Sequence, residues 1–215
     1  FKYSALSVSY RITGTADSVY IAYYDSSDTA LKVYSTKTAK TEVIAKTDAK
    51  TNDSVGETGK YLSLGEYKFV DSENAGEAML LYSVTVYDEK YYEDKAAKDG
   101  YTRSSANYNY VFAYKAGDTA ETGVPFAGKK LLDGSEKGLT YTLKLIKNGY
   151  VFYSEKDVAS NEKTFGIALK DAGDMTKAAE IKNSDLVADT TYIVSLDEVY
   201  AIDSDAKTVY KTSLK

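Results

Sequence analysis

The sequence predicts an all-β protein, an antiparallel β-sandwich of immunoglobulin-like or jelly-roll type, built as one large domain or two in tandem. Three observations predict it. Apolar and polar residues alternate along most of the chain. Turn-forming residues interrupt the alternation at intervals of about 8–12 residues. No strand–helix–strand rhythm of the kind that builds a parallel sheet is present.

The alternation is cleanest at the start. Leu6, Val8, Tyr10 and Ile12 occupy every second position, with Ser7, Ser9, Arg11 and Thr13 between them, and Gly14 closes the segment. Val19, Ile21 and Tyr23 continue it, and Asp25-Ser26-Ser27-Asp28 reads as a turn into a strand at 31–35. Further strands are predicted at 42–46, 61–64, 66–70, 79–87 and 107–114. In the second half, 139–147 and 150–156 flank Asn148-Gly149, the preferred pair for a two-residue type I′ hairpin turn. That turn sets Lys147 against Tyr150, Leu145 against Phe152 and Leu143 against Ser154. Tyr141, Leu143, Leu145, Tyr150 and Phe152 then form the core face, with Lys144, Ile146, Val151 and Tyr153 on the other. Strands follow at 163–169, 178–182, 191–201 and 207–214. Residues 88–100, rich in Glu, Lys and Ala between Asp88 and Gly100, read as a short surface helix or a charged loop.

The chain is long enough, at 215 residues, for one large sheet protein or two sandwiches of about 100 residues. Residues 116–137 concentrate Gly, acids and the single Pro125, with few apolar side chains. They are the expected boundary or long loop between a sandwich at 1–115 and a second β region at 138–215. That second region is either a smaller sandwich or the completion of the first.

Composition narrows the function. The chain has 22 Tyr and no Trp, His or Cys. Without His or Cys, Ser-His-Asp and Cys-His catalysis and ordinary zinc or haem sites have no ligands or bases. The glycines are scattered, so no phosphate-cradling loop forms. An enzyme would have to rely on paired carboxylates, Lys or Tyr, and none is expected. A net charge of −5, with no basic cluster interleaved with aromatics, argues against a nucleic-acid partner. No apolar run approaches the roughly 20 residues of a membrane span. Residues 1–9 lack the basic and apolar regions of a signal peptide, so a secreted chain is expected in its processed form.

Calcium is the cofactor the residues could accommodate. Hard oxygen ligands pair at Asp25 and Asp28, at Asp71 and Glu73, at Asp171 and Asp174, and at Asp203 and Asp205. The same residues are also good turn formers. Most of the tyrosines belong to packing in the strands; those assigned to outer faces, Tyr24 and Tyr153, are candidates for self-association or for stacking on sugars. The expectation is a structural subunit of an extracellular or cell-surface assembly: a filament, tube or surface layer. In it, Leu6, Val8, Tyr10 and Ile12 make a contact between copies, by strand exchange in one version. The alternative is a carbohydrate-binding or adhesive module of a cell-surface protein.

Overall fold

The computed structural model describes residues 8–12, 18–47, 60–71, 78–102, 107–119, 126–135, 138–147, 149–171, 173–181, 192–195, 198–203 and 207–213. Within them the protein is all-β and antiparallel. The first sheet comprises β1 (Val8–Ile12), β2 (Val19–Asp25), β3 (Ala30–Ser35) and β4 (Lys40–Lys46). The second comprises β5 (Lys60–Asp71), β6 (Ala78–Asp88), β7 (Asn107–Lys115) and β8 (Lys129–Asp133). The third comprises β9 (Thr140–Lys147), β10 (Tyr150–Lys156), β11 (Glu162–Ala168) and β12 (Ala179–Ile181). The last comprises β13 (Tyr192–Ser195), β14 (Glu198–Asp203) and β15 (Thr208–Ser213).

Each sheet is a meander, its strands lying side by side in chain order. Immunoglobulin-like and jelly-roll sandwiches instead pass strands between sheets. Short local connections explain the meander. Left-handed residues close several of them: Thr29 (φ 49°), Ala39 (φ 51°), Gly149 (φ 76°) and Lys207 (φ 52°). Such turns return the chain directly onto its neighbour.

The first three sheets pack face to face. Ala22, Leu31, Val33, Ile44 and Ala45 of the first sheet meet Leu62, Leu80, Tyr82, Val84, Val86, Tyr108, Phe112 and Tyr114 of the second. The alternate residues of the second sheet, Val70, Met79, Leu81, Val111 and Ala113, turn the other way. They pack with Tyr141, Leu143, Val151, Tyr153 and Ile167 of the third. The second sheet is therefore covered on both faces, so its middle strand β6 is buried at almost every position from Ala78 to Val86. Both of its faces are apolar, as a doubly covered strand requires. Aromatic rings add directional contacts: Tyr82 stacks on Phe112 with centroids 5.2 Å apart, and Tyr153 on Phe165 at 5.7 Å.

A polar clamp joins the second sheet to the third. Asn109, 3% exposed, donates from Nδ2 to the Tyr141 carbonyl (2.8 Å) and accepts the Tyr141 N–H at Oδ1 (2.6 Å). Its own N–H donates to the Leu139 carbonyl and its carbonyl accepts the Gly134 N–H. Gly134 is required at this crossing, since a Cβ there would stand 2.1 Å from the Leu139 oxygen.

Three features depart from the sequence reading. The β9–β10 hairpin keeps Lys147, Ile146 and Leu145 opposite Tyr150, Val151 and Phe152, but the register then shifts at a bulge so that Leu143 faces Tyr153. A bulge inserts one residue and moves all later side chains to the other face. The expected face of Tyr141, Leu143, Leu145, Tyr150 and Phe152 is thus corrected: Tyr141 and Leu143 join Val151 and Tyr153 in the core. Tyr153, expected outside, is fully buried, and Phe152 is fully buried on the opposite face. Residues 129–133, inside the segment read as a boundary, form β8, and Phe126, Leu131 and Leu132 there are core residues. Residues 88–100 begin as one α-helical turn, α1 (Glu89–Tyr91), and widen to a π-helical turn at Tyr92–Ala96. There the Ala97 N–H reaches back five residues to the Tyr92 carbonyl (2.8 Å).

Candidate interaction surfaces and polar clusters

The acidic pairs proposed for calcium are tied to their own turns. Asp25 Oδ1 accepts both the N–H (3.0 Å) and the hydroxyl (2.6 Å) of Ser27, while Oδ2 takes the Lys32 ammonium at 2.8 Å. Asp28 holds the same ammonium. Lys32 and Ser27 together hold the Asp25 carboxyl well below the usual carboxylate range, and Asp25 and Asp28 push the Lys32 ammonium up. Asp174 caps the 3₁₀ turn Met175–Lys177, accepting the N–H (3.2 Å) and hydroxyl (2.6 Å) of Thr176. Asp171 pairs with Lys177 at 2.7 Å.

Asp133, which the sequence reading passed over, repeats the arrangement. It accepts the N–H (2.9 Å) and hydroxyl (2.6 Å) of Ser135 and pairs with Lys130 at 2.5 Å. Asp25-x-Ser27, Asp133-x-Ser135 and Asp174-x-Thr176 are thus one device used three times. A carboxylate satisfies the N–H and the hydroxyl two residues ahead and pins a turn. The spacing Asp-x-Ser/Thr was the signal available for it. Asp203 ends β14, and Glu73 and Asp205 lie outside the described residues, as does the side chain of Asp71. Among the described residues no group of three or more carboxylates converges on one point.

The assembly candidates lie at the edge of the first sheet. β1 pairs with β2 of its own chain, placing Val8, Tyr10 and Ile12 in register with Tyr23, Ile21 and Val19; Leu6 lies outside the described residues. The core-facing residues of β2 and β3 are Tyr20, Ala22, Leu31 and Val33. Val19, Ile21, Tyr23 and Tyr34 alternate with them and are half-buried on the sheet's outer face. Val43 on β4 pairs with Lys32 and is 49% exposed.

No protein-family model, curated protein or solved structure matches this chain.

A cleft of about 330 Å³ opens between the first two sheets, lined by Tyr24, Thr47, Leu62, Ser63, Leu64, Gly65 and Tyr67. Tyr24 stands there because its register partner is the core residue Leu31. A bulge between Leu64 and Tyr67 opens the wall of β5. Gly65 presses against Ser83, whose Oγ lies 2.3 Å from where a Cβ would be, so the backbone of β5 comes close to β6 there. Thr47 is spent on the adjacent turn, its N–H and hydroxyl both donating to the Thr29 carbonyl (2.9 and 3.2 Å).

The tyrosines divide by environment. Burial pushes the phenols of Tyr82, Tyr108, Tyr114, Tyr141 and Tyr153 up, beyond the ordinary tyrosine range. The buried hydroxyl of Tyr82 donates to the Ala127 carbonyl at 2.6 Å. Those of Tyr114 and Tyr108 reach the carboxylates of Glu42 and Asp88 at the rims. No helix among the described residues is long and apolar enough to cross a membrane.

Proposed function

We propose that this protein is a non-enzymatic structural subunit of an extracellular or cell-surface assembly, built by repeated contacts between copies. The observation that supports the reading is serial layering. Each sheet is a local meander, and the first three stack in chain order, the second packed between the first and the third, as repeats do in quasi-one-dimensional proteins. Such an architecture is extended by adding layers. The charged side chains of the turns agree with it, since Asp25, Asp133, Asp171 and Asp174 serve to hold loops closed. Negative-stain microscopy over a range of protein concentrations tests the proposal. Filaments, tubes or sheets of regular width are expected; discrete single particles at every concentration would overturn it.

A second reading rests on the cleft. Tyr24 and Tyr67 offer aromatic surface, and Ser63 a hydroxyl, in a recess of roughly the size that takes one sugar ring. A carbohydrate-binding or adhesive module would use it. Retention on a glycan array that is lost in Tyr67→Ala, in a chain that stays monomeric, favours this reading over the first.

A further inference from the structure

We propose that the cleft between the first two sheets binds a single neutral pyranose ring, its hydroxyl edge toward the first sheet and its C–H face against the second. The inference rests on the carbohydrate reading and names the class of sugar and the side chains that select it.

The two walls differ in chemistry. The first sheet supplies Tyr24 and Thr47. Tyr24 follows Tyr20 and Ala22 at alternate positions of β2, so it shares their core-facing side. It is half-buried, and no residue among those described takes its hydroxyl. A phenol so placed can donate one hydrogen bond and accept another. Thr47, 7% exposed, has already given its hydroxyl proton to the Thr29 carbonyl at 3.2 Å. Its oxygen keeps its lone pairs and can only accept. The second sheet supplies Leu62, Leu64 and Tyr67. Their register partners Val86, Val84 and Tyr82 are core residues, so all three turn toward the first sheet.

The backbone of β5 sets this wall. Three residues separate Leu64 from Tyr67, a spacing that puts side chains on opposite faces of a regular strand. Leu64 pairs with Val84 and Tyr67 with Tyr82, so Gly65 and Glu66 together stand opposite Ser83. The bulge turns both Leu64 and Tyr67 to the cleft. The Ser83 hydroxyl holds it, donating to the Glu66 carbonyl at 3.4 Å.

A ligand that fits both walls carries hydroxyls along one edge and C–H groups over a face. A pyranose meets that description: its weakly positive C–H groups lie against a π face, and its hydroxyls both donate and accept. The volume, about 330 Å³, is at the small end of ligand pockets and suits one ring rather than a chain of them. The lining holds no charged side chain. Asp25, next to Tyr24, is already held by Lys32 at 2.8 Å and by Ser27. A carboxylate or ammonium carried into the cleft would lose water and gain no counter-charge, so uronic acids and amino sugars are rejected.

Saturation-transfer NMR with the methyl glycosides of glucose, galactose, mannose and N-acetylglucosamine tests the site. The matching uronic acid and 2-amino sugar, and N-acetyltyrosine amide, are the comparators. At least one neutral glycoside is expected to bind saturably, with its charged counterparts at least about tenfold weaker, a gap of ~1.4 kcal/mol. Tyr24→Phe removes one hydroxyl and Thr47→Val one acceptor; each is expected to weaken binding by about three- to tenfold while circular dichroism stays unchanged. Should Thr47→Val disturb the fold, Tyr24→Phe decides alone. Equal binding of a charged sugar, preference for the tyrosine amide, or unchanged affinity in Tyr24→Phe overturns the inference. If a glycan array retains the chain while Tyr24→Phe binds as the parent does, the sugar sits elsewhere and the carbohydrate reading stands. If neither the array nor any glycoside binds, both fall together.

Discussion

Replacing Asn109 with leucine tests whether the second and third sheets form one cooperative unit. The substitution keeps the branching at Cγ and replaces the amide, which spans the Tyr141 N–H and carbonyl at 2.6 and 2.8 Å in a site 3% exposed, with methyl groups. Two buried backbone groups of Tyr141 then lose their partner. Each stranded group costs about 1–3 kcal/mol, so the expected loss is ~2–6 kcal/mol. For a chain of this length each kcal/mol lowers the melting temperature by roughly 2–4 °C, giving a drop of roughly 4–24 °C. The control is Asn161→Ala, which removes an exposed side-chain amide that donates from Nδ2 to the Asp157 carboxylate (2.9 Å) and leaves the backbone N–H bond to the same carboxylate in place. There water replaces the lost partner and the expected cost is under ~1 kcal/mol. Thermal unfolding followed by circular dichroism compares the two. Equal, small losses would refute the argument that Asn109 joins the layers.

Three further outcomes follow from the same geometry. The buried phenols should make the fold sensitive to alkali: a folded-state value raised above 10 contributes stability that is complete below the unfolded value and lost as pH rises toward the folded one. Tyr82 and Tyr153 alone cost ~1.4 kcal/mol each per pH unit above 10, so tyrosinate absorbance should show an early exposed phase and a late cooperative step coincident with loss of β structure. A single smooth titration of all tyrosines would contradict this. On the acid side, Asp25, Asp133, Asp157, Asp171 and Asp174 are held below their ordinary value of 3.8, so their contribution is present above that value and lost as pH falls through the folded ones; stability measured by urea unfolding should be flat from neutrality to about pH 5 and fall below pH 4. Gly134→Ala should destabilise by at least ~2 kcal/mol, because its Cβ would meet the Leu139 carbonyl and force the Asn109 clamp apart; a melting temperature within about 2 °C of the parent would argue against so close a crossing.

Local pattern carried most of the strand assignments, because period-two alternation and turn residues are properties of a few neighbouring positions. The Asn148-Gly149 hairpin was legible down to the pairing of Phe152 with Leu145. What lay beyond it was not. The bulge before Tyr153 is set by how the third sheet fits the second, and nothing within 139–156 announces it. The nearly continuous burial of β6 was visible as Met79, Leu80, Leu81 and Tyr82 in succession, a sign of two covered faces that alternation alone does not register. β8 escaped notice because its two leucines sit among lysines, acids and glycines, and its place is set by pairing with β7. The acidic pairs show the limit at the candidate sites. Spacing shows where carboxylates stand, but whether they face a cation or a serine two residues on is decided by the turn.

Sedimentation velocity of the unmodified chain across a wide concentration series tests the assembly proposal most directly. Open addition of copies predicts a sedimentation coefficient that keeps rising with concentration and no limiting species. A single monomeric boundary unchanged across the series would contradict the account.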